Sequence, residues 1–195
     1  QFVEHNVEEI FEEDEITIKF YIYEGKKVLV ERINIIGNNI TNEQVIRGEL
    51  LVDEGDPFTT LNLDKSISKI KSRNIFKTVE SKVSEGTSSD LKIIEIKVEE
   101  KATGEISAGA GIGTNGGSVA FIIKENNWLG EGKIIGANLE ISAESLKGKF
   151  SYLNPNYDFL GNSVRYNLSN EQNDKPNQGY ENTITSIGAS TAFEQ

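Results

Sequence analysis

The sequence predicts two structural classes in one chain: an α+β module up to about Lys101, then an antiparallel β-meander. Three observations carry this. Helical spacing of apolar residues, mixed with strand-like runs, is found before Lys101, whereas the reading after it is purely period two. Thirteen of the 18 glycines (104, 109, 111, 113, 116, 117, 130, 132, 136, 148, 161, 179 and 188) lie beyond Lys101. Helix-capping and turn residues, in contrast, punctuate the first part at Thr41, Gln44, Asn62 and Gly55-Asp56-Pro57.

Taken in order, residues 6–14 read as an acidic loop or short helix whose charges are solvated. Ile16 to Tyr23 (ITIKFYIY) alternates and ends at Glu24-Gly25, as a strand closing a preceding unit would. Val28 to Ile36 is a strand broken by Gly37-Asn38-Asn39. Thr41 and Gln44 form a capping-box pair for a short helix with Val45, Ile46, Leu50 and Leu51 on one face. Asn62 caps a second helix in which Leu63, Ile67 and Ile70 share a face, ending near Arg73-Asn74. Phe76 to Ser84 and Leu91 to Glu99 are strands joined by a turn at 85–90.

From Gly104 six runs alternate. Ile106, Ala108, Ala110 and Ile112 face opposite to Ser107, Gly109, Gly111 and Gly113. Val119, Phe121 and Ile123 form the next apolar face, followed by Ile135, Ala137, Leu139 and Ile141. Phe150 and Tyr152, then Val164, Tyr166 and Leu168, then Ile187, Ala189 and Phe193 continue the pattern. Each run has about the nine to eleven residues that a tilted strand needs to cross a bilayer. The opposite face carries Lys124, Glu140, Lys149 and Arg165. A lipid-facing belt around a wet lumen explains the pattern, and so does a sandwich with one solvated face.

Composition narrows the function classes. Lys and Arg number 20 against 31 Asp and Glu, a net charge of −11, which argues against nucleic acid as a partner. The acidity is local: residues 1–24 hold Glu4, Glu8, Glu9, Glu12, Glu13, Asp14, Glu15 and Glu24 against Lys19 alone. Cysteine is absent, so neither disulfides nor thiolate metal sites are available, and this mildly favours the cell envelope. With Gln1 at its start and no signal segment, the chain reads as an internal piece of a longer protein. No apolar run reaches the eighteen residues of a transmembrane helix, which leaves a transmembrane barrel open.

Few residues suggest chemistry. Gly111 to Gly116 matches the GxGxxG dinucleotide fingerprint literally, but a strand follows it where the fingerprint needs a helix N-terminus, so Thr114 to Gly117 reads as a hairpin turn. His5 is the single histidine, and no nucleophile–base pair or histidine metal site can be assembled. We expect no enzyme activity, no cofactor and no metal. Trp128, the single tryptophan, sits in NNWLGEG between two strands. Tyr152, Tyr157 and Phe159 flank the turn in Asn154 to Gly161, and all four aromatics suit a membrane-interface belt.

Several stretches also resemble a known family. Val28 to Lys101, with its GNN-IT start, EGDPF turn, LDKSI helix, IKSRNIFKTVESKV passage and closing IEIKVEEK, resembles a POTRA domain. The following TGEISAGAGIGTNGGSVAFIIKENNWLGEGK is similar to the start of the barrel in the bacterial surface antigen family, and SYLNPNYDFLG (Ser151 to Gly161) resembles the turn after that barrel's fourth strand. The resemblance implies the end of a preceding POTRA domain at 1–24, a POTRA domain at 25–100, and the first six strands of an outer-membrane barrel, incomplete here, at 101–195. It implies an assembly factor of the bacterial outer membrane, with its POTRA part in the periplasm. Unfolded outer-membrane β-barrel proteins would be its clients, and accessory assembly lipoproteins and outer-membrane lipids its other partners. A client-binding lateral gate would lie on the first barrel strand, Gly104, Glu105, Ile106, Ser107, Ala108, Gly109, Ala110, Gly111, Ile112 and Gly113. The alternatives are a TamA-like or two-partner secretion transporter of the same architecture, a passive porin, or a soluble β-rich adhesin.

Overall fold

In the computed structural model, residues 3–12, 15–25, 27–113, 116–158 and 160–193 are described. They form three sheets, two α-helices and a single 3-10 turn at Pro176–Gln178. Strands β1 (Val3–Glu12) and β2 (Glu15–Glu24) pair as an antiparallel hairpin. This corrects the expectation of a loop or short helix over 6–12, while Glu13 and Asp14 of that expectation lie outside the described residues. The acids that suggested solvated coil are accommodated across the pair: Glu8 lies opposite Lys19 and accepts a 2.8 Å hydrogen bond from the Tyr21 hydroxyl. Val7 and Phe11 meanwhile sit opposite Phe20 and Ile16.

The α+β module begins with β3 (Leu29–Ile36), which runs parallel to β5 (Leu91–Glu100), and β5 pairs antiparallel with β4 (Phe76–Glu85). The sheet order is therefore β3-β5-β4. The helices α1 (Glu43–Arg47) and α2 (Thr60–Ser72) connect β3 to β4. Central β5 buries Ile94, Ile96 and Val98 against Ile46 of α1 and Leu63, Ile67 and Ile70 of α2. The buried hydrophobic cluster runs from Val30 to Val98 and takes no residue from beyond Lys101.

Both helix starts differ from the expected caps by one position or more. Asn42, not Thr41, caps α1, its Oδ1 accepting from the Gln44 N–H at 3.0 Å. Thr59 caps α2 through the Asn62 N–H, so Asn62 lies inside the helix. Thr41 is instead buried at a junction described below. The first helix also stops at Arg47, short of Leu50 and Leu51, where the chain tightens into turns in which the Glu49 and Leu50 N–H groups donate to the Ile46 and Arg47 carbonyls at 3.1 and 3.0 Å. The Leu51 N–H is then taken by the Ser66 hydroxyl at 2.8 Å.

Beyond Lys101 the chain is one six-stranded antiparallel sheet in sequence order: β6 (Gly104–Gly113), β7 (Gly116–Trp128), β8 (Lys133–Ser142), β9 (Ser145–Asn154), β10 (Ser163–Lys175) and β11 (Tyr180–Ala192). The register sorts its side chains onto two faces. Ala108, Phe121, Leu139 and Gly148 form one continuous row, and Ile106, Ile123, Ala137, Phe150, Leu168 and Ile187 form the next. No charged side chain interrupts these two rows. The opposite face carries Glu105, Lys124, Glu140, Lys149 and Arg165. The strands are 10 or 13 residues long, close to the nine to eleven or so of a membrane-crossing strand. Among the described residues no helix is long and apolar enough to cross a membrane, which says nothing of strands. The sheet is open, with β6 and β11 at its edges.

Candidate functional site

The strand singled out in the sequence is an edge. Gly104 through Gly113 pairs only with β7 among the described residues, and every residue of it is exposed. Its apolar side chains have almost no cover: Ile106 is 83% and Ile112 95% exposed. A Cβ added at Gly109 or Gly113 would meet nothing within 4 Å. Such an edge presents a row of unpaired backbone donors and acceptors.

The strand is nonetheless pinned at its start. The Thr103 hydroxyl donates to Glu125 Oε1, and the Thr103 carbonyl accepts from the Asn126 backbone N–H at 3.3 Å and side-chain amide at 3.2 Å. Glu125 Oε1 also accepts from the Asn127 N–H at 2.8 Å. Polar contacts therefore gather where β6 leaves the α+β module, and thin out toward Gly113. Thr114 and Asn115 of the expected hairpin turn lie outside the described residues.

Of the aromatics, Trp128 closes β7 opposite Lys133 and is half-exposed, while Tyr157 is exposed in the turn between β9 and β10. Tyr152 faces Tyr166 across β9 and β10, with ring centroids 6.2 Å apart. Phe159 lies outside the described residues. His5 is exposed on β1, and among the described residues no group of three or more His, Asp or Glu could hold a metal ion.

Sequence reasoning missed the junction between the module and the sheet. The turn at 127–132 seats against the start of α1: the Asn42 N–H donates to the Gly130 carbonyl at 2.8 Å, and the buried Asn127 amide donates to the Thr41 hydroxyl at 2.9 Å. Asn127 Oδ1 also accepts from the Gly132 N–H at 2.8 Å. Arg73, at the end of α2, donates to the Gly132 carbonyl and pairs with the buried Glu49 at 3.4 Å. Glu49 in turn accepts from Asn156 of the β9–β10 turn at 2.8 Å. Desolvation pushes the Arg73 guanidinium down from its ordinary value, and Glu49 opposes that shift. The one available signal was Gly130 and Gly132: both have positive φ, and a Cβ on Gly130 would stand 2.1 Å from the Ile40 carbonyl oxygen.

A second cradle supports this seat from the module side. The Glu100 carboxylate accepts the backbone N–H groups of Asn39, Ile40 and Thr41, the last at 2.6 Å. Burial works to raise its pKa, but these hydrogen bonds outweigh it and hold the carboxyl below its ordinary value.

Comparison with known proteins accounts for both parts. The POTRA profile (surface antigen variable number repeat) matches residues 28–101, and the Omp85 superfamily domain matches residues 127–195. The crystal structure of BamA from Haemophilus ducreyi lacking POTRA domains 1–3 superposes with a TM-score of 0.73 at 26% identity, over 97% of this chain and 37% of that one. The chain is BamA-like. The outer membrane protein assembly factor BamA of Neisseria meningitidis serogroup B is 28% identical over 150 residues, which is 76% of this chain. The BamA-like chain spans 19% of that relative's length. CdiB from Acinetobacter baumannii shares the fold, with a TM-score of 0.56 at 16% identity over 89% of this chain and 34% of that one. In the BamA-like chain the α+β module thus matches a POTRA unit, and β6–β11 form an open antiparallel sheet that resembles barrel strands of BamA.

Proposed function

We propose that this chain is the membrane-proximal part of an outer-membrane protein assembly factor that inserts unfolded β-barrel proteins through a lateral gate at β6. The carrying observation is the composition of that strand: Gly104, Ser107, Ala108, Gly109, Ala110, Gly111 and Gly113 leave it so poor in side chains that contact across its outer edge would rest on backbone hydrogen bonds. In lipid an opened edge leaves donors and acceptors unsatisfied, and an incoming client strand satisfies them. The polar contacts at Thr103 support a strand held at its start while the rest parts from its neighbour.

In this reading residues 1–24 end a preceding POTRA domain, 25–100 are the POTRA domain that receives clients in the periplasm, and 101–195 are barrel wall in the outer membrane. Edge strand β4 is the natural site for strand addition, which gives affinity with little demand on client sequence. The rows through Phe121 and Phe150 meet lipid, with Trp128, Tyr152 and Tyr157 at the interface. Accessory lipoproteins would dock on the periplasmic part.

The test is disulfide trapping in the full-length protein, between cysteines placed along Ile106 to Ile112 and the terminal strand of an arrested barrel client. Crosslinks along β6 are expected. Crosslinks confined to strands deep in the wall, never reaching β6, overturn the gate. The fold likeness to CdiB keeps one second reading, a two-partner secretion transporter, and trapping of a secreted exoprotein in place of a barrel client would establish it.

A further inference from the structure

The polar face of the six-stranded sheet carries a basic groove that the gate does not use. Its volume is about 410 Å³, and three cations line it: Lys124 on β7, Lys149 on β9 and Arg165 on β10. No carboxylate lines it, in a chain with 31 acids and a net charge of −11. Among the described residues none of the three cations has an ion-pair or hydrogen-bond partner for its side chain, whereas nearby Lys147 pairs with Glu171 at 3.2 Å. Glu105 stands opposite Lys124 across β6 and β7, outside the lining, so the excess positive charge centres on Lys149 and Arg165; like charges repel, and a groove of this kind favours an anionic occupant.

The register explains how the groove opens. Lys124 lies opposite Gly136, and Gly136 lies opposite Ser151; Lys149 lies one row away, opposite Asn138. Gly136 leaves the floor bare, since a Cβ there would stand 2.9 Å from the Ser151 Oγ. Strand spacing and rise place the three cations roughly 10–15 Å apart along the backbone. That is too wide for one phosphate or carboxylate, and it suits acids distributed along an extended strand, where alternate residues repeat at about 6.8 Å. Ile134 and Leu153, also in the lining, offer apolar contact between the charges. The groove lies on the face opposite Phe121, Leu139 and Phe150, away from the face assigned to lipid.

We propose that this groove binds the carboxylates of an extended acidic segment of a client polypeptide on the inner wall of the barrel. This rests on the reading above that β6–β11 form a barrel wall whose polar face points inward.

The test uses the full-length protein in liposomes, with a photo-crosslinking residue in place of Asn167, which neighbours Ser151 on the same face. The probes are a short strand-forming peptide with Glu at alternate positions and its Gln counterpart. The Glu peptide is expected to crosslink about tenfold more than the Gln peptide at low salt, with the preference lost at 1 M salt, where the screening length falls to about 3 Å. The Lys124→Gln, Lys149→Gln, Arg165→Gln triple variant should lose the preference, and Lys147→Gln should keep it. Band shift on heating reports barrel folding; if the triple variant fails to fold, Lys149→Gln alone is read the same way and should lose most of the preference. Equal crosslinking of both peptides, a preference that survives in the folded variants, or crosslinks solely to the protein's own chain would overturn the assignment. Assembly of a barrel client by the wild type in the same liposomes reads the proposed function separately. Assembly without a Glu preference overturns only the groove, and a Glu preference without assembly upholds the groove and overturns the assembly reading.

Discussion

Arg73 and Glu49 form a buried ion pair, 3.4 Å apart, at the junction of the POTRA unit and the sheet, with side-chain exposures of 13% and 6%. The guanidinium reaches the Gly132 carbonyl and the carboxylate takes the Asn156 amide, so one ion pair holds two separate turns. Breaking a buried pair by removing one partner typically costs about 3–5 kcal/mol, because the other charge is left uncompensated. Arg73→Met alone should therefore loosen the junction, detected as faster proteolysis at Lys101-Ala102-Thr103. The double variant Arg73→Met, Glu49→Leu should recover a large part of the loss. Additive losses in that cycle would show that the pair does not couple.

The Glu100 cradle makes a pH prediction. Its folded pKa is depressed, so the unfolded state binds more protons in the acid range and stability rises with pH there. The contribution is present above the unfolded glutamate value of about 4.3 and is lost as pH falls through the lower folded value. Glu100→Gln should lower the melting temperature at pH 7 and flatten the acid limb of its pH profile. Parallel profiles for the two proteins between pH 3 and 6 would contradict the role given to the carboxylate.

Glycine substitutions should separate seat from edge. Gly130→Ala combines a φ of +73° with a Cβ 2.1 Å from a backbone carbonyl that cannot yield. The left-handed conformation alone costs about 1–2 kcal/mol, and the clash adds to it. Gly132→Ala should cost less than Gly130→Ala, since its conflicts are with the side chains of Arg73 and Val45. Gly109→Ala should leave stability unchanged, its surroundings being open. Thermal unfolding of the three variants checks the order.

The register predicts which positions tolerate charge. Leu139 shares a face with Phe121 and Ile141, and Asn167 shares the other with Arg165. A basic residue on the lipid face near the bilayer midplane costs about 2–4 kcal/mol. Leu139→Arg should impair folding into lipid vesicles by that order, and Asn167→Arg should fold normally. Equal effects at the two positions would contradict the facing assigned here.

What the residues revealed depended on range. The period-two runs from Ile106 to Ile187 and the helical spacing of Leu63, Ile67 and Ile70 report local geometry, so strands and helices were readable where they stand. At 6–12 the same reasoning failed, because the strand conformation there is supported by Lys19 and Tyr21 of a partner strand. The caps failed for a related reason: Thr41 carries a cap's chemistry, but its hydroxyl accepts from Asn127, 86 residues away.

By itself the sequence determined the change of architecture at Lys101, the alternating faces and the small-residue character of β6, since each follows from side-chain size and spacing along one segment. Tertiary structure alone decided that Arg73, Glu49, Asn127 and Asn156 meet, and that Lys124, Lys149 and Arg165 share a groove without an acid. These are facts of register and docking between distant segments. Strand pairing sets them to within one residue, and a slip of one would carry every side chain to the opposite face.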